Sequence, residues 1–248
     1  MKLVVVGATG YVGTEVIRLA LRNKAITSVI ALSRKPVNVP SHLGADADTS
    51  KLQTVDLQDW EKPYPDAVKG KLKGADACIW MLAVTPTKSK DRDFGEVTKV
   101  CLDYTKNGLE NLAALASTDK PFRFIYTSGV AVERDQTKPL DVLSDYRLMR
   151  GRVENFIIDF AKLHEPNVEV AITRPGGIEG PGHPKTEQGS ILFSKFGATP
   201  WIHVSELAAA MIELCVSGIT KETLWSKDMQ EIASKVLKME DYVPGERF

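Results

Sequence analysis

The sequence predicts an α/β protein whose core is a doubly wound parallel sheet, folded as a single domain over residues 1–248. Strand-like and helix-like segments alternate from one end of the chain to the other, which is the order that builds a parallel sheet. The strand-like runs are apolar throughout, as in strands that are covered on both faces. A length of 248 residues suits one large domain, with short substrate-side elements near its C-terminus.

Six strands are predicted from compact runs rich in β-branched or aromatic residues. They lie near 2–6, 28–32, 54–56, 77–84, 122–128 and 168–174, and the one at 54–56 is short and weak.

Five helices are predicted from apolar residues that recur every three or four positions. They lie near 11–23, 93–117, 144–164, 205–216 and 227–238. In the first, Val12, Val16, Leu19 and Ala20 share one face, and Arg18 and Arg22 point away from it.

Two segments, 36–53 and 179–200, lack either pattern and are predicted to be irregular. The second is rich in Gly and Pro and follows a strand end, which is where α/β proteins place their ligands. We therefore predict that 179–200 covers the substrate, with a plain connector as the alternative.

Composition argues against several classes of partner. The 32 acidic and 32 basic residues balance, which favours neither nucleic acid nor a membrane surface. No apolar run approaches the ~20 residues that span a bilayer, and the first strand begins too early for a signal peptide. The cysteines and histidines lack metal-ligand spacing, so we expect no metal and a cytoplasmic protein with reduced core cysteines; the cysteines are Cys78, Cys101 and Cys215.

A glycine-spaced turn, Gly7-Ala8-Thr9-Gly10-Tyr11-Val12-Gly13, joins the first apolar strand to the first amphipathic helix. The three glycines are spaced G-x-x-G-x-x-G rather than the commoner G-x-G-x-x-G. A helix N-terminus offers free N–H groups and a positive dipole end, which suit a pyrophosphate. The turn therefore predicts the dinucleotide site of a Rossmann fold, with Gly7, Thr9, Gly10, Tyr11, Val12 and Gly13 against the coenzyme.

The end of the second strand indicates which coenzyme is bound. An NAD site carries Asp or Glu there for the ribose 2′-hydroxyl, but this chain has Ser33, Arg34 and Lys35. A guanidinium can bind a 2′-phosphate through two hydrogen bonds, so NADP(H) is favoured over NAD(H). The alternative is a solvated turn with two basic residues.

Two other strand ends supply candidate coenzyme contacts. Asp56 and Leu57 follow the third strand and are predicted to lie against the adenine ring. Leu82, Ala83 and Val84 end the fourth predicted strand and are expected to line the middle of the coenzyme.

Several segments, which occur in the same order along nearly the whole chain, resemble those of the short-chain dehydrogenase/reductase superfamily. They are most similar to its extended and atypical members, the nucleoside-diphosphate-sugar-epimerase-like and Tat-interacting-protein-like proteins. The matching segments are 7–13, 55–57, 124–128, 174–182 and 201–208. The resemblance implies that the end of the fifth strand enters the active site and that the stretch after the sixth borders the nicotinamide. It thereby adds Thr127, Pro175, Gly176 and Ile178 to the coenzyme contacts.

The family's catalytic Tyr-x-x-x-Lys is represented by Tyr146 and Arg150, which lie on one helix face. The resemblance implies that Tyr146 exchanges a proton with the substrate, while Arg150 holds the ribose and supplies charge. An arginine cannot relay a proton, but a nearby cation lowers a tyrosine pKa. The family's catalytic hydroxyl falls at Gly129, so Ser128 is the expected substitute.

The sequence leaves three functions open. The first is an NADP(H)-dependent oxidoreductase acting on a small carbonyl or alcohol; the second is a non-redox isomerase or dehydratase. The third is a catalytically impaired, NADPH-sensing binding protein. The family also leads us to expect a homodimer through the helices near 93–117 and 144–164. We further expect His203 to make a structural hydrogen bond, whereas His183, in the segment predicted to cover the substrate, is a lesser candidate for substrate contact.

Overall fold

The structure is a computed structural model that describes residues 1–196 and 201–242. Its nine strands are β1 (Lys2–Val6), β2 (Ser28–Ser33), β3 (Leu52–Asp56), β4 (Ala77–Trp80), β5 (Phe122–Thr127), β6 (Val168–Arg174), β7 (Gly177–Glu179), β8 (Trp201–His203) and β9 (Thr223–Trp225) within the described residues. Seven of them form a parallel sheet in the order β3-β2-β1-β4-β5-β6-β9, and β7 pairs with β8 in a separate parallel ladder. The predicted fold class, a doubly wound Rossmann-like sheet, is confirmed.

Nine α-helices cover the described part of the chain. They are α1 (Tyr11–Arg22), α2 (Asp66–Leu72), α3 (Pro86–Ser89), α4 (Phe94–Thr98), α5 (Tyr104–Leu115), α6 (Ser144–Leu163), α7 (Glu187–Ser194), α8 (Val204–Ser217) and α9 (Ser226–Val236). A π-helical turn at Lys99–Asp103 joins α4 to α5, and short 3-10 helices lie at Thr49–Lys51 and Met239–Asp241. None of the described helices is long and apolar enough to cross a membrane.

The sheet is buried on both faces, which explains the unbroken apolar strand runs. One face carries bulky side chains such as Trp80 and Phe124, and it packs against α2, α5 and α6. The other carries smaller side chains such as Ala77, and it packs against α1, α8 and α9. Gly108 lets α5 approach the first face, because a Cβ there would lie 2.2 Å from a Trp80 ring atom.

The strand order reverses between β1 and β4, since the chain runs outwards from β1 to β3 and then returns to the other side. Ligands of open α/β sheets bind in the crevice beside such a reversal, at the carboxyl ends of the strands. The residues that follow β1, β2, β4, β5 and β6 therefore meet at one edge.

Several predicted boundaries were wrong. The strand predicted at 77–84 stops at Trp80, level with the end of its neighbour β1 at Val6, and the Met81 amide then donates to the Val6 carbonyl. The helix predicted at 93–117 is divided by the π-helical turn into α4 and α5. The segment 179–200, predicted to be irregular, contains α7, and its residues 197–200 lie outside the described residues.

The prediction that the cysteines lie in the core was correct, since all three are free and buried. Trp80 is a fully buried core residue. Trp225 is only half-buried, because it ends the edge strand β9 and lies beneath the Arg174 guanidinium at 5.3 Å.

Candidate functional site

The glycine turn adopts the geometry that its sequence predicts. Gly7 has φ of +86°, and the Gly10 amide donates to the Gly7 carbonyl at 3.0 Å. A Cβ on Gly7 would lie 2.9 Å from the Met81 carbonyl carbon, so a side chain is excluded there by conformation and by space. A Cβ on Gly13 would lie 2.3 Å from the Gly7 oxygen, so α1 starts as close to β1 as the backbone allows.

The N-terminus of α1 lacks the groups that usually satisfy it. Its N-cap is Gly10, which has no side chain to accept a hydrogen bond, and its first turn carries no acidic residue. Thr9 and Gly10 are exposed. Free amides at the positive end of a helix fit a phosphate group, so the turn suits the pyrophosphate of a dinucleotide. Contact of Thr9, Gly10, Tyr11 and Val12 with a coenzyme stays a prediction.

The end of β2 places the cationic residues Arg34 and Lys35 beside the turn that follows β3. The Ser33 carbonyl accepts from the Leu57 amide at 3.0 Å, and the Arg34 carbonyl accepts from Gln58 Nε2 at 2.9 Å. Ser33 lies in register with Asp56 on β3. Arg34 is exposed, as is the next residue.

Within residues 1–196 and 201–242, no acidic side chain forms an ion pair with Arg34 or with Lys35. Lys35 bonds locally through its amide, which donates to Ser33 Oγ at 3.2 Å. Their positive charge is thus available to an anion at the end of β2.

The segment after β4 is fixed from two sides. The Val84 amide donates to Cys101 Sγ at 3.3 Å, and the Val84 carbonyl accepts from the Tyr146 hydroxyl at 2.8 Å. Leu82 and Ala83, which precede it, are half-buried. These residues therefore form a rigid wall between the glycine turn and α6, and their contact with a coenzyme stays a prediction.

Tyr146 and Arg150, which the sequence analysis paired, lie next to each other in space. Both are buried: 8% of Tyr146 is exposed and 4% of Arg150. Arg150 Nη2 donates to the Thr127 carbonyl at 2.9 Å, while Arg150 Nη1 lies 3.5 Å from the Tyr146 hydroxyl. The guanidinium also stands 5.2 Å from the centre of the Tyr126 ring. Two aromatic rings and a carbonyl therefore surround this charge at the end of β5.

The expected lowering effect of Arg150 on the pKa of Tyr146 is present, but it does not decide the net direction of the shift. Burial raises the pKa of Tyr146 above its usual value, and the opposing effect of Arg150 is smaller. The spacing of the two residues shows that they are neighbours, but it does not show how much water the fold removes from the phenol. Tyr146 is consequently a neutral phenol at physiological pH.

Ser128 bonds to a buried carboxylate that the sequence analysis missed. Its hydroxyl donates to Glu154, which is 0% exposed and also accepts from Arg134 Nε at 2.6 Å and Arg174 Nε at 3.0 Å. The Ser128 proton is thus held by Glu154, and only the serine lone pairs face elsewhere. A Cβ on Gly129 would meet nothing within 4 Å, so there is open space beside Ser128.

A signal for Glu154 does exist in the sequence. It falls on the apolar face of α6, between Val153 and Ile157, where a lone carboxylate needs a buried partner. Its partners come from β5, β6 and the loop before α6, so their identity could not be deduced from spacing.

The residues after β6 lie beside the end of β5, as the family resemblance implies. The Ser128 amide donates to the Thr173 carbonyl at 2.8 Å, and the Val130 amide donates to the Pro175 carbonyl at 3.0 Å. Gly176 is held by the Ser226 hydroxyl at 3.1 Å, and the half-buried Ile178 continues into β7. Their proximity to a nicotinamide stays a prediction.

Helix α7 packs over the β7–β8 ladder. Trp201 Nε1 donates to Ser190 Oγ at 2.7 Å, and the Trp201 ring meets Phe193 edge-on. Phe196 lies under the Arg147 guanidinium at 5.2 Å, next to Tyr146 on α6. The end of α7 is thus brought against α6, and a role of this segment in covering substrate stays a prediction.

The histidines make local contacts. His203 Nδ1 accepts from the Ser205 amide at 3.2 Å, which confirms its predicted structural bond. The His183 ring stacks on Tyr11 of the coenzyme turn. No three metal-ligating side chains cluster anywhere in the described ranges.

Comparisons with known proteins give a family match, a curated relative and solved structures with a related fold. A sequence model of a family described as NAD(P)H-binding matches residues 7–215. Leucinostatins biosynthesis cluster protein T of Purpureocillium lilacinum is 28% identical over 181 residues, which are 71% of this chain and 58% of that protein. The chain therefore spans less than two thirds of this curated relative.

Two solved structures share the fold at low sequence identity. DesIV of Streptomyces venezuelae, a dTDP-glucose 4,6-dehydratase with NAD bound, has a TM-score of 0.65 and 18% identity over 95% of this chain and 80% of its own. Gre2 of Candida albicans, in complex with NADPH, has a TM-score of 0.64 and 17% identity over 91% of this chain and 78% of its own.

Proposed function

Because the chain belongs to the NAD(P)H-binding family, with a match over residues 7–215, we propose that it is an NADP(H)-dependent oxidoreductase that reduces a small carbonyl compound. The observation that carries this proposal is the uncapped N-terminus of α1 beside two cations that no described carboxylate neutralises. The first feature suits a pyrophosphate, and the second suits the 2′-phosphate that distinguishes NADPH from NADH. The complex of Gre2 with NADPH supports this choice, although DesIV binds NAD.

Two residues of α6, Tyr146 and Arg150, support reduction rather than oxidation. A nicotinamide coenzyme supplies the hydride when bound. Tyr146, whose pKa is raised by burial, keeps its proton at neutral pH and can give it to the substrate oxygen. Arg150 keeps a positive charge beside the phenolic oxygen, and this charge stabilises the phenolate left by proton transfer. The Tyr146 hydroxyl must exchange its bond to the Val84 carbonyl for one to the substrate.

Replacing Arg34 with alanine is expected to weaken NADPH binding by about one to two orders of magnitude, because a charge-assisted hydrogen bond contributes ~1.5–3 kcal/mol. NADH has no 2′-phosphate, so its affinity should be unchanged. Calorimetric titration of both nucleotides measures the two effects. Arg152→Ala, which removes an exposed arginine on α6, is the matched control. Unchanged NADPH affinity in Arg34→Ala, or an equal loss for NADH, would contradict the assignment.

A second candidate is an NADPH-sensing binding protein. It is favoured because the protons of both proposed catalytic hydroxyls are already donated within the protein. Tyr146 donates to the Val84 carbonyl, and Ser128 donates to Glu154. This candidate predicts NADPH binding without turnover of any carbonyl compound, and a protein partner whose binding depends on NADPH.

The dehydratase DesIV, which shares the fold, supports a third candidate, an isomerase or dehydratase. Such an enzyme would form product with no net change in NADPH absorbance.

A further inference from the structure

The π-helical turn at Lys99–Asp103 interrupts the helical stretch that leads from α4 into α5. Such turns widen a helix locally, are rare, and occur frequently at functional sites. This turn places Cys101 in the core, where the residue is 0% exposed. Thr105, which is also buried, donates from its hydroxyl to the Cys101 carbonyl at 2.8 Å. The backbone that carries the Cys101 thiol is therefore held in place.

The thiol of Cys101 contacts both polar backbone groups of Val84. The Val84 amide donates to Cys101 Sγ at 3.3 Å, and Sγ lies 3.8 Å from the Val84 carbonyl oxygen, to which its S–H can donate. Val84 is 7% exposed, whereas residues 85–88 are exposed. The chain leaves the core directly after Val84, so the thiol holds the wall formed by residues 82–84 at the point where it ends.

The Val84 carbonyl is the nearer of two groups that bind the Tyr146 hydroxyl. The hydroxyl donates to this carbonyl at 2.8 Å, whereas Arg150 Nη1 lies 3.5 Å away. A fixed acceptor sets the place of the phenolic oxygen, and the hydroxyl proton can turn from it towards a substrate without movement of the ring. A displacement of ~1 Å near a reacting group can lower a rate by about 10²-fold. The position of Val84 therefore matters for proton transfer from Tyr146.

We propose that Cys101 is a positioning residue for Tyr146, which it holds through Val84 in the place from which the phenol gives its proton. The proposal rests on the proposed function, because it needs Tyr146 to be the proton donor. Cys101 is fully buried and acts only through the backbone of Val84. The π-helical turn then serves to bring the thiol to the end of the wall.

Two substitutions at Cys101 separate hydrogen bonding from packing. Serine keeps a group that accepts from the Val84 amide and donates to its carbonyl, whereas alanine removes that group. A role in packing alone makes serine the worse substitution, because serine places a hydroxyl in an apolar core. A positioning role makes alanine the worse one. We expect Cys101→Ala to lower the rate of NADPH oxidation about tenfold, and Cys101→Ser to stay within about twofold of the wild type.

The rate is measured in single turnovers of the full chain saturated with NADPH, so that product release does not mask the chemical step. The probes are the small aldehydes and ketones on which the wild type is active. NADPH affinity, measured by calorimetric titration, should be unchanged in both variants. The matched control is Cys215→Ala, since Cys215 is also free and buried but lies on α8, against the other face of the sheet. It should oxidise NADPH as fast as the wild type does.

Hydrogen exchange of the Val84 amide, followed by NMR in the protein without coenzyme, tests the contact independently of activity. The amide should exchange slowly in the wild type and in Cys101→Ser. It should exchange at least about tenfold faster in Cys101→Ala, because the amide then lacks its acceptor. Equal exchange of this amide in Cys101→Ala and the wild type would overturn the positioning role.

The rates distinguish failure of the positioning role from failure of the proposed function. If the wild type is active and Cys101→Ala oxidises NADPH equally fast, the positioning role is overturned and the proposed function stands. A larger loss of rate in Cys101→Ser than in Cys101→Ala has the same meaning, because it indicates packing alone. If the wild type reduces no carbonyl compound, the proposed function fails and the positioning role fails with it.

Discussion

Replacing Tyr146 with phenylalanine is expected to lower carbonyl turnover by about 10²–10⁴-fold, which is the usual contribution of a positioned proton donor. Coenzyme affinity should change little, since the ring and Arg150 remain in place. The measurement is the rate of NADPH oxidation with a panel of small aldehydes and ketones, together with calorimetric titration of NADPH. The hydroxyl donates to the Val84 carbonyl, a bond that contributes about 1 kcal/mol to stability, and accepts a long bond of 3.5 Å from Arg150 Nη1, so the variant should fold.

The chain offers a matched control in Tyr126. Its hydroxyl is also buried near Arg150, but it has no hydrogen-bond partner among the described residues. Tyr126→Phe should therefore keep near-wild-type turnover. Full activity in Tyr146→Phe, or equal losses in the two variants, would refute a specific role for Tyr146 as proton donor.

Replacing Glu154 with alanine is expected to destabilise the fold by roughly 3–5 kcal/mol, as for other buried ion pairs that lose one partner. The variant leaves the buried Arg174 without its carboxylate, removes a partner of Arg134 and frees the Ser128 hydroxyl. The measurement is the free energy of unfolding in urea.

Glu222→Gln is the comparison for Glu154→Ala. Glu222 also binds Arg134, at 2.9 Å, but its side chain is 48% exposed. A surface pair of this kind contributes at most about 1 kcal/mol. If Glu154→Ala and Glu222→Gln lower the free energy of unfolding by the same small amount, the ion pairs of Glu154 do not stabilise the strand ends.

The larger features of the fold follow from the sequence for physical reasons. Strands β1, β2, β5 and β6 are buried on both faces, so each appears as an unbroken apolar run that can be recognised without a partner. The glycine turn is recognisable because its close backbone contacts exclude a side chain at Gly7 and Gly13. The resemblance to the short-chain dehydrogenase/reductase superfamily is confirmed in its NAD(P)-binding family and its fold.

The short elements near the C-terminus could not be predicted in the same way. Strands β7, β8 and β9 have three residues each, too few to show a period. They exist because distant segments pair with them; Ile178, for example, lies in register with Ile202.

The electrostatics of the candidate active site depended on burial, which spacing does not reveal. The sequence places Arg150 one helical turn after Tyr146, and the structure confirms that they meet. Only the fold shows that both are buried, and this burial raises the pKa of Tyr146 rather than lowering it. The hydrogen bond from Ser128 to Glu154 joins the residue after β5 to the middle of α6, and no sequence pattern predicts this pairing.

The central claim is that the amides at the start of α1 bind the pyrophosphate of a nicotinamide coenzyme. Calorimetric titration of the pure protein with NADPH, NADP⁺, NADH and NAD⁺ tests it directly, at two temperatures because a binding enthalpy can pass through zero. We predict one site per chain, with NADPH and NADP⁺ bound more tightly than NADH and NAD⁺. The absence of heat with all four nucleotides at both temperatures would contradict the claim.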